Sequence, residues 1–242
     1  ISVKPASFSR CLKELDKDDF KILRQIERLM SEFQWIPAAN LMILLRMSLS
    51  ELEFHVSHLL TFSLIERSGV NYEGYRMTYD GYDLLALRSL VFKDVIASIG
   101  DVVAVGKEST IYKAVCVDGS ECVLKFHREG TSSFKHVKRV RDYLPRKDTG
   151  WFVASSLACK KEYNLLKKVY GLVNVPRPIA RDRNILVLSL INGVDLYRAR
   201  LDDPDFFLEE ILKQVKILFD EGIIHSELSQ YNIMVSFEGD SV

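Results

Sequence analysis

The chain has 242 residues, 48% hydrophobic and 27% charged, with Lys+Arg and Asp+Glu equal at 33 each. That balance excludes a disordered acidic or basic tail, and no stretch approaches the ~18 apolar residues of a membrane span, so neither a membrane partner nor a secretory leader is expected. The length accommodates two compact units, and Cys11, Cys116, Cys122 and Cys159 lack metal-type spacing. They read as reduced core residues of a cytosolic or nuclear protein, with a Cys116–Cys122 bridge across a hairpin as the alternative.

From Asp16, a cap residue, Phe20, Ile22, Leu23, Ile26, Leu29 and Met30 recur at helical spacing, with Asp18 and Asp19 suited to the first turn. Pro37 opens a second helix through Leu41, Leu44 and Leu45, and Ser50 caps a third carrying Leu52, Val56, Leu59 and Leu60. Two extended pieces, Leu64 to Arg67 and Tyr75 to Thr78, flank a turn-rich segment. Three helices followed by a two-stranded wing predict a winged helix over residues 1–90. A further helix, about Tyr79 to Ile99, should bridge to the second unit.

After Gly100 the period becomes extended. Asp101 to Val105, Thr110 to Val117 and Glu121 to Phe126 read as strands, the last two joined by an Asp118-Gly119 turn. A polar, basic stretch from His127 to Thr149 precedes a helix around Ser155 to Tyr170. Ile179 to Ala180 and Ile185 to Leu190 are expected as strands about the turn at Arg181 to Asn184. Asp205 to Glu221 forms a helix with Phe206, Leu208, Ile211, Leu212, Val215 and Leu218 inward, Gly222 stops it, and Ile233 to Val235 is a short strand. There is no internal repeat.

Three places carry chemistry. Gly106, followed by Lys107, Glu108 and Ser109, sits in a turn between strands, where bare backbone lets a phosphate approach N–H groups. A single glycine in a turn is also common for purely structural reasons. Lys125 lies in the otherwise apolar strand Val123-Leu124-Lys125-Phe126; such an ammonium either snorkels from an edge strand or meets an anion. Glu162, placed with Leu157, Leu165 and Leu166, is its candidate partner, a solvated helix position being the other reading. A Lys125–Glu162 pair would hold the ammonium within reach of nucleotide phosphates.

The most specific signal is Gly222-Ile223-Ile224-His225-Ser226-Glu227-Leu228-Ser229-Gln230-Tyr231-Asn232-Ile233-Met234-Val235. A histidine, a carboxylate two residues on and an asparagine five beyond that, followed by an apolar strand, match a kinase catalytic loop except for one substitution. In that geometry Glu227 orients the attacking hydroxyl and the Asn232 oxygen binds Mg²⁺. His225 reads as a structural histidine packed in the loop.

These residues resemble the RIO family of atypical protein kinases, and within it the second subfamily, whose kinase domain follows a winged helix. Gly106-Lys107-Glu108-Ser109 is similar to that family's phosphate loop, and Leu124 to Arg128 with Thr131-Ser132-Ser133-Phe134 to its strand-three lysine and flexible loop. Leu190-Ile191-Asn192-Gly193 looks like its hinge; Arg141-Asp142-Tyr143, Gly74-Tyr75-Arg76 and Gly81-Tyr82-Asp83 match further patterns. The resemblance implies an α+β chain: a winged helix at 1–90, linker helix and kinase N-lobe at 91–188, then hinge and first part of the C-lobe at 189–242. The bilobal domain is expected to stop within the C-lobe, before a metal-binding aspartate.

It further implies that ATP and Mg²⁺ are the cofactors. Gly106, Lys107, Glu108, Ser109 and Lys125 meet the phosphates, Ile111, Val123 and Leu188 line the purine pocket, backbone groups of Ser189 and Ile191 hold adenine, and Asn232 binds metal. The implied function is a serine/threonine kinase or ATPase in cytoplasmic maturation of the small ribosomal subunit precursor, with rRNA and ribosomal proteins as partners and passage through the nucleus. Glu227 stands where the family has a catalytic aspartate, and Ser226 where it has glycine. A displacement of about 1 Å costs ~10²-fold in rate, so the alternative is a catalytically impaired, ATP-dependent assembly scaffold.

A concentration of cations, Lys125, Arg128, Lys135, Lys138, Arg139, Arg141, Arg146, Lys147, Lys160 and Lys161, faces only Glu129, Asp142 and Asp148, which suits RNA phosphates or a solvated loop. A sequence-specific DNA reader is the third possibility. The helix from Ser50 to Thr61 fits that role poorly, since it carries Glu51, Glu53, His55 and His58 but no Arg or Lys.

Overall fold

The computed structural model describes residues 5–128 and 150–236. The flexible-loop motif at 131–134, the motif at 141–143 and the cations from Lys135 to Lys147 lie outside them.

The N-terminal module runs α1 (Pro5–Glu14), α2 (Lys17–Leu29), β1 (Ile36–Pro37), α3 (Ala38–Leu45), α4 (Leu49–Thr61), β2 (Ile65–Ser68), β3 (Gly74–Met77) and α5 (Tyr79–Phe92). Its three short strands form an antiparallel sheet ordered β1-β3-β2. Sequence patterning had no signal for α1 or for the two-residue β1. Asp16 caps α2 in a capping box with Asp19, as its position suggested. The cap of α4 is Ser48, not Ser50: the Ser48 hydroxyl accepts from Glu51 N–H at 3.3 Å, and the Glu51 carboxylate accepts from Ser48 N–H at 2.7 Å.

Asp19 is fully buried. Burying a carboxylate is costly unless it is hydrogen-bonded, and Asp19 accepts from His55 Nδ1 at 2.8 Å, His58 Nδ1 at 2.9 Å and Asp16 N–H at 3.0 Å. Both histidines of α4 therefore turn inward to fasten it onto α2. The outer face of α4 is left with Ser50, Glu53, Phe54, Ser57 and Thr61, all exposed.

The helix expected to run to Ile99 ends at Phe92. Asp94 takes the left-handed conformation at φ 52, and β-branched Val95 and Ile96 lead into the edge strand β4 (Ile96–Val105), five residues earlier than periodicity indicated. Though shorter than expected, α5 does bridge the two units, packing on α1 and α2 and on β4 and the strands Pro178–Asp182 and Ile185–Ser189. Tyr82, Asp83, Leu84, Leu85, Ala86, Leu87 and Leu90 are buried around its circumference, the signature of a helix enclosed in a core.

That core is shared with the second module. Strands β4, β5 (Ser109–Cys116), β6 (Glu121–His127), β7 (Pro178–Asp182) and β8 (Ile185–Ser189) form an antiparallel sheet ordered β4-β5-β6-β8-β7. Alternation gives it two faces. Tyr112, Leu124, Phe126, Ile185 and Val187 point one way and join the same apolar cluster as α1 and α5. Phe8 stacks on Phe126 with ring centroids 6.0 Å apart, a pairing worth about 0.5–1.5 kcal/mol beyond burial.

The other face carries Ile111, Val123, Lys125 and Leu188, and α6 (Gly150–Val169) packs on it through Cys159, Tyr163 and Leu166. This helix begins five residues before the expected Ser155. All four cysteines are buried and free, so no Cys116–Cys122 bridge forms.

Beyond β8 come β9 (Gly193–Asp195), a 3₁₀ turn at Leu196–Arg198, α7 (Pro204–Asp220) and β10 (Met234–Ser236), with β10 pairing antiparallel to β9. Gly222 ends α7 with φ 72, as expected. The expected inward face of α7 is not buried: Leu208 and Leu212 are 54% and 57% exposed, and α7 contributes to neither apolar cluster. No helix among the described residues is long and apolar enough to cross a membrane.

Candidate active site

Lys125 sits on β6, the central strand of the five-stranded sheet, which removes the edge-strand reading. Its Nζ lies 2.8 Å from both carboxylate oxygens of Glu162. Both side chains are about a quarter exposed, 26% and 29%, so the pair faces a partly open surface. Glu162 is aimed by the inward stripe of α6, Phe152, Ser155, Cys159, Leu166 and Val169. Leu157 and Leu165, expected beside it, point outward at 42% and 45% exposure.

His127, one pleat beyond Lys125 on the same face, was not singled out as a site residue. It is 5% exposed, and its Nε2 is 3.4 Å from Glu162 Oε2 without a hydrogen bond. Burial pulls the imidazole down to about 4, outweighing the raising effect of Glu162, while Lys125 lowers it further. His127 is therefore neutral at physiological pH and adds no charge to the Lys125–Glu162 pair.

A folded-state value below the ordinary ~6.5 contributes stability above that pH, and the contribution is lost as pH falls to about 4, by about 3 kcal/mol in total. Urea unfolding at several pH values should show wild type and His127→Gln converging in stability as pH drops through this window. A constant difference would contradict the assignment.

The turn Gly106 to Glu108 connects β4 to β5. Gly106 N–H donates to Ser109 O at 2.8 Å, so that amide closes the turn rather than facing outward, while Gly106 and Lys107 are exposed and Glu108 and Ser109 half-buried. Glu108 O accepts from Arg128 N–H at 2.8 Å, which ties the turn to the end of β6. The Arg128 guanidinium in turn pairs with the fully buried Asp83 of α5. Asp83 also accepts from Asn184 Nδ2 at 2.8 Å, and Asn184 O accepts from His127 N–H at 2.8 Å. Arg183 at φ 47 is held by Glu27 at 2.6 and 2.7 Å. The N-terminal module thus buttresses the strand ends that carry the candidate site. Lys125 and Arg128, counted among the cations suited to RNA, are both paired with carboxylates, while Lys160 and Lys161 are exposed.

Ile111 and Val123 are half-buried on the Lys125 face. Leu188, expected to line the purine pocket with them, is only 6% exposed and packs with Cys159 and Leu186. At the hinge, Ser189 N–H donates to Arg177 O at 3.0 Å and the Ser189 hydroxyl accepts from Arg177 N–H at 2.9 Å. That amide is therefore not available to adenine, leaving the Ser189 carbonyl and the Ile191 backbone. Gly193 starts β9, where a Cβ would lie 2.2 Å from Val235 O; only glycine permits that approach.

In the loop after α7, Asn232 Nδ2 donates to Glu227 O at 2.6 Å and Asn232 Oδ1 accepts from Ser229 N–H at 2.8 Å. These bonds fix the amide with its oxygen away from the Glu227 backbone. Glu227 is exposed, and His225 is exposed rather than packed in the loop as expected.

An antiparallel five-stranded sheet with a lysine on its central strand, a helix glutamate paired to it, and a carboxylate–asparagine loop beyond the hinge define the class: a protein-kinase-like fold. The chain belongs to the RIO family, whose RIO domain model matches residues 110–242, while the Rio2 N-terminal domain matches residues 12–93. It is 35% identical over 232 residues to the serine/threonine-protein kinase rio2 of Dictyostelium discoideum, covering 95% of this chain and 44% of that protein. To the RIO2 kinase of Saccharomyces cerevisiae it is 34% identical, covering 93% and 54%. To the RIO-type kinase Rio2 of Methanocaldococcus jannaschii it is 32% identical, covering 88% and 80%. The chain thus spans about half the length of these eukaryotic relatives. Among solved structures, the Rio2 kinase of Chaetomium thermophilum superposes with a TM-score of 0.81 at 29% identity, covering 93% of this chain and 67% of that one. The same kinase in an ADP/Mg²⁺-phosphoaspartate complex gives 0.80 at 32%, covering 93% and 68%.

Proposed function

We propose that this chain is the ATP- and Mg²⁺-binding part of a RIO-type serine/threonine kinase or ATPase. The observation that carries the reading is the Lys125–Glu162 pair at 2.8 Å on the sheet face that also holds Ile111 and Val123. Half-buried apolar side chains beside a paired ammonium suit a purine with its phosphates, and the ADP/Mg²⁺ complex of the Chaetomium relative supports that fit. When bound, Mg-ATP supplies the transferable phosphoryl group. Lys125 neutralises phosphate charge, and Glu162 keeps the ammonium from folding away. Backbone at Lys107 to Ser109 lies against the phosphates, and the Ser189 carbonyl and Ile191 amide hold adenine. Asn232 Oδ1 binds metal, and Glu227 orients the accepting hydroxyl.

Residues 1–90 act as the winged-helix domain, 91–188 as the linker and N-lobe, and 189–242 as the hinge and beginning of the C-lobe, with α5, which ends at Phe92, crossing the first boundary. Action on the small ribosomal subunit precursor, with rRNA and ribosomal proteins as partners in the cytoplasm, is drawn from the family resemblance. No observation favours the impaired-scaffold reading over turnover. Calorimetric titration of Mg-ATP into wild type and Lys125→Ala tests the binding: loss of one charge-assisted contact should weaken affinity about tenfold or more. Equal affinities would overturn it.

A further inference from the structure

On the helices that pack against the sheet face opposite Lys125, a cavity of about 240 Å³ opens at the seam of α2, α5 and the β7–β8 turn. Four of its walls are cations, Arg24, Arg88, Lys93 and Arg183, and Phe92 lies at its edge. Two of these charges are already answered. Lys93 donates to Asp182 at 2.7 Å, and Arg183 is held by Glu27 and by Asp182 at 2.5 Å.

Arg24 and Arg88 are different. Among the described residues no carboxylate pairs with either. Arg88 instead stands 3.9 Å over the Phe20 ring and 4.6 Å over the Phe92 ring, which fixes its guanidinium in place. Burial, and then the neighbouring Arg24, both depress its pKa. Two like charges beside one cavity with no counter-ion are repelled, and a bound anion relieves that repulsion.

We propose that this cavity is a nucleotide-binding subsite, with a phosphate between Arg24 and Arg88 and a base against Phe92. The guanidinium fork matches phosphate oxygens bidentately. Phe92, with Arg88 over one face of its ring, is still 71% exposed and offers the remaining aromatic surface for a base to stack on. The two sources of such a ligand are a free nucleotide and a single-stranded nucleic acid. Neither depends on the Lys125 site.

The test is fluorescence anisotropy of a labelled oligouridylate on the whole 242-residue chain at fixed ionic strength, with UMP and a phosphoserine peptide as competitors. Arg24→Ala and Arg88→Gln should each weaken binding about tenfold, and Phe92→Ala should weaken it as well. Arg24 is exposed, so its variant stays folded, and melting curves check Arg88→Gln. Lys213→Ala, which removes an exposed cation on α7, should leave affinity unchanged. Displacement by UMP supports the subsite with a free nucleotide as occupant; binding of the oligonucleotide that UMP does not displace supports it with the polymer. Wild-type affinity in both arginine variants, no binding of either probe, or displacement by the phosphopeptide as readily as by UMP overturns the proposal.

Discussion

Replacing Asp83 with alanine is expected to destabilise the chain by about 3–5 kcal/mol and to lower its Tm by roughly 10 °C, as read by thermal unfolding. Asp83 is fully buried, and it is the acceptor for both the Arg128 guanidinium, 14% exposed, and Asn184 Nδ2. Removing it takes away the carboxylate that this cation and amide donor share in the interior, and breaking a buried charge pair is among the costliest single defects. The intact pair is not itself a large stabiliser: burial lifts the Asp83 carboxyl to about 6 even with Arg128 beside it. A raised carboxyl value means that this group's contribution falls as pH rises from about 4 through about 6. Joint replacement of Asp83 and Arg128 by leucine and methionine should therefore be far milder than Asp83→Ala alone. Equal losses in the single and joint variants would show that the pair matters for net stability rather than for fixing the seam between modules.

Glu227→Gln is expected to lower phosphoryl transfer by about 10²–10⁴-fold while leaving Mg-ATP affinity close to wild type. The Glu227 side chain is exposed, and the loop is held through its backbone carbonyl, which accepts from Asn232 Nδ2 at 2.6 Å, so the substitution alters chemistry without removing a structural bond. The added methylene relative to aspartate is accommodated in an exposed loop, where no packing fixes its reach. Single-turnover assays should then give Glu227→Asp activity within about tenfold of wild type. A silent wild type beside an active Glu227→Asp variant would contradict turnover through Glu227.

Much of this site was legible in the sequence because it rests on local spacing. Lys125 in an apolar strand and the offset from Glu227 to Asn232 survive any packing arrangement. The Lys125–Glu162 pair was legible as a possibility only, since its two residues lie on separate elements. What patterning missed depends on tertiary context. Periodicity ran α5 on to Ile99 because leucine and valine continue across Asp94, whose left-handed turn has no glycine to announce it. Leu157 and Leu165 were placed inward by composition, yet the 3.6-residue stripe of α6 passes through Cys159 and Leu166.

The His55–Asp19–His58 cluster and the Arg128–Asp83–Asn184 cluster join residues far apart in sequence. The motif Gly81-Tyr82-Asp83 matches a family pattern, which did not join it to its partners Arg128 and Asn184. The face of α7 read as inward from its amphipathic pattern, which reports what a helix can bury and not what lies against it.

The most direct measurement of the central claim is Mg-ATP affinity with and without Mg²⁺ for wild type, Lys125→Ala, Asn232→Ala and the double variant. If the ammonium and the amide oxygen serve one nucleotide, Lys125→Ala weakens binding under both conditions, Asn232→Ala abolishes only the Mg²⁺-dependent gain, and the two effects are non-additive in the double variant. An Asn232→Ala protein with the full Mg²⁺ response of wild type would contradict a shared site.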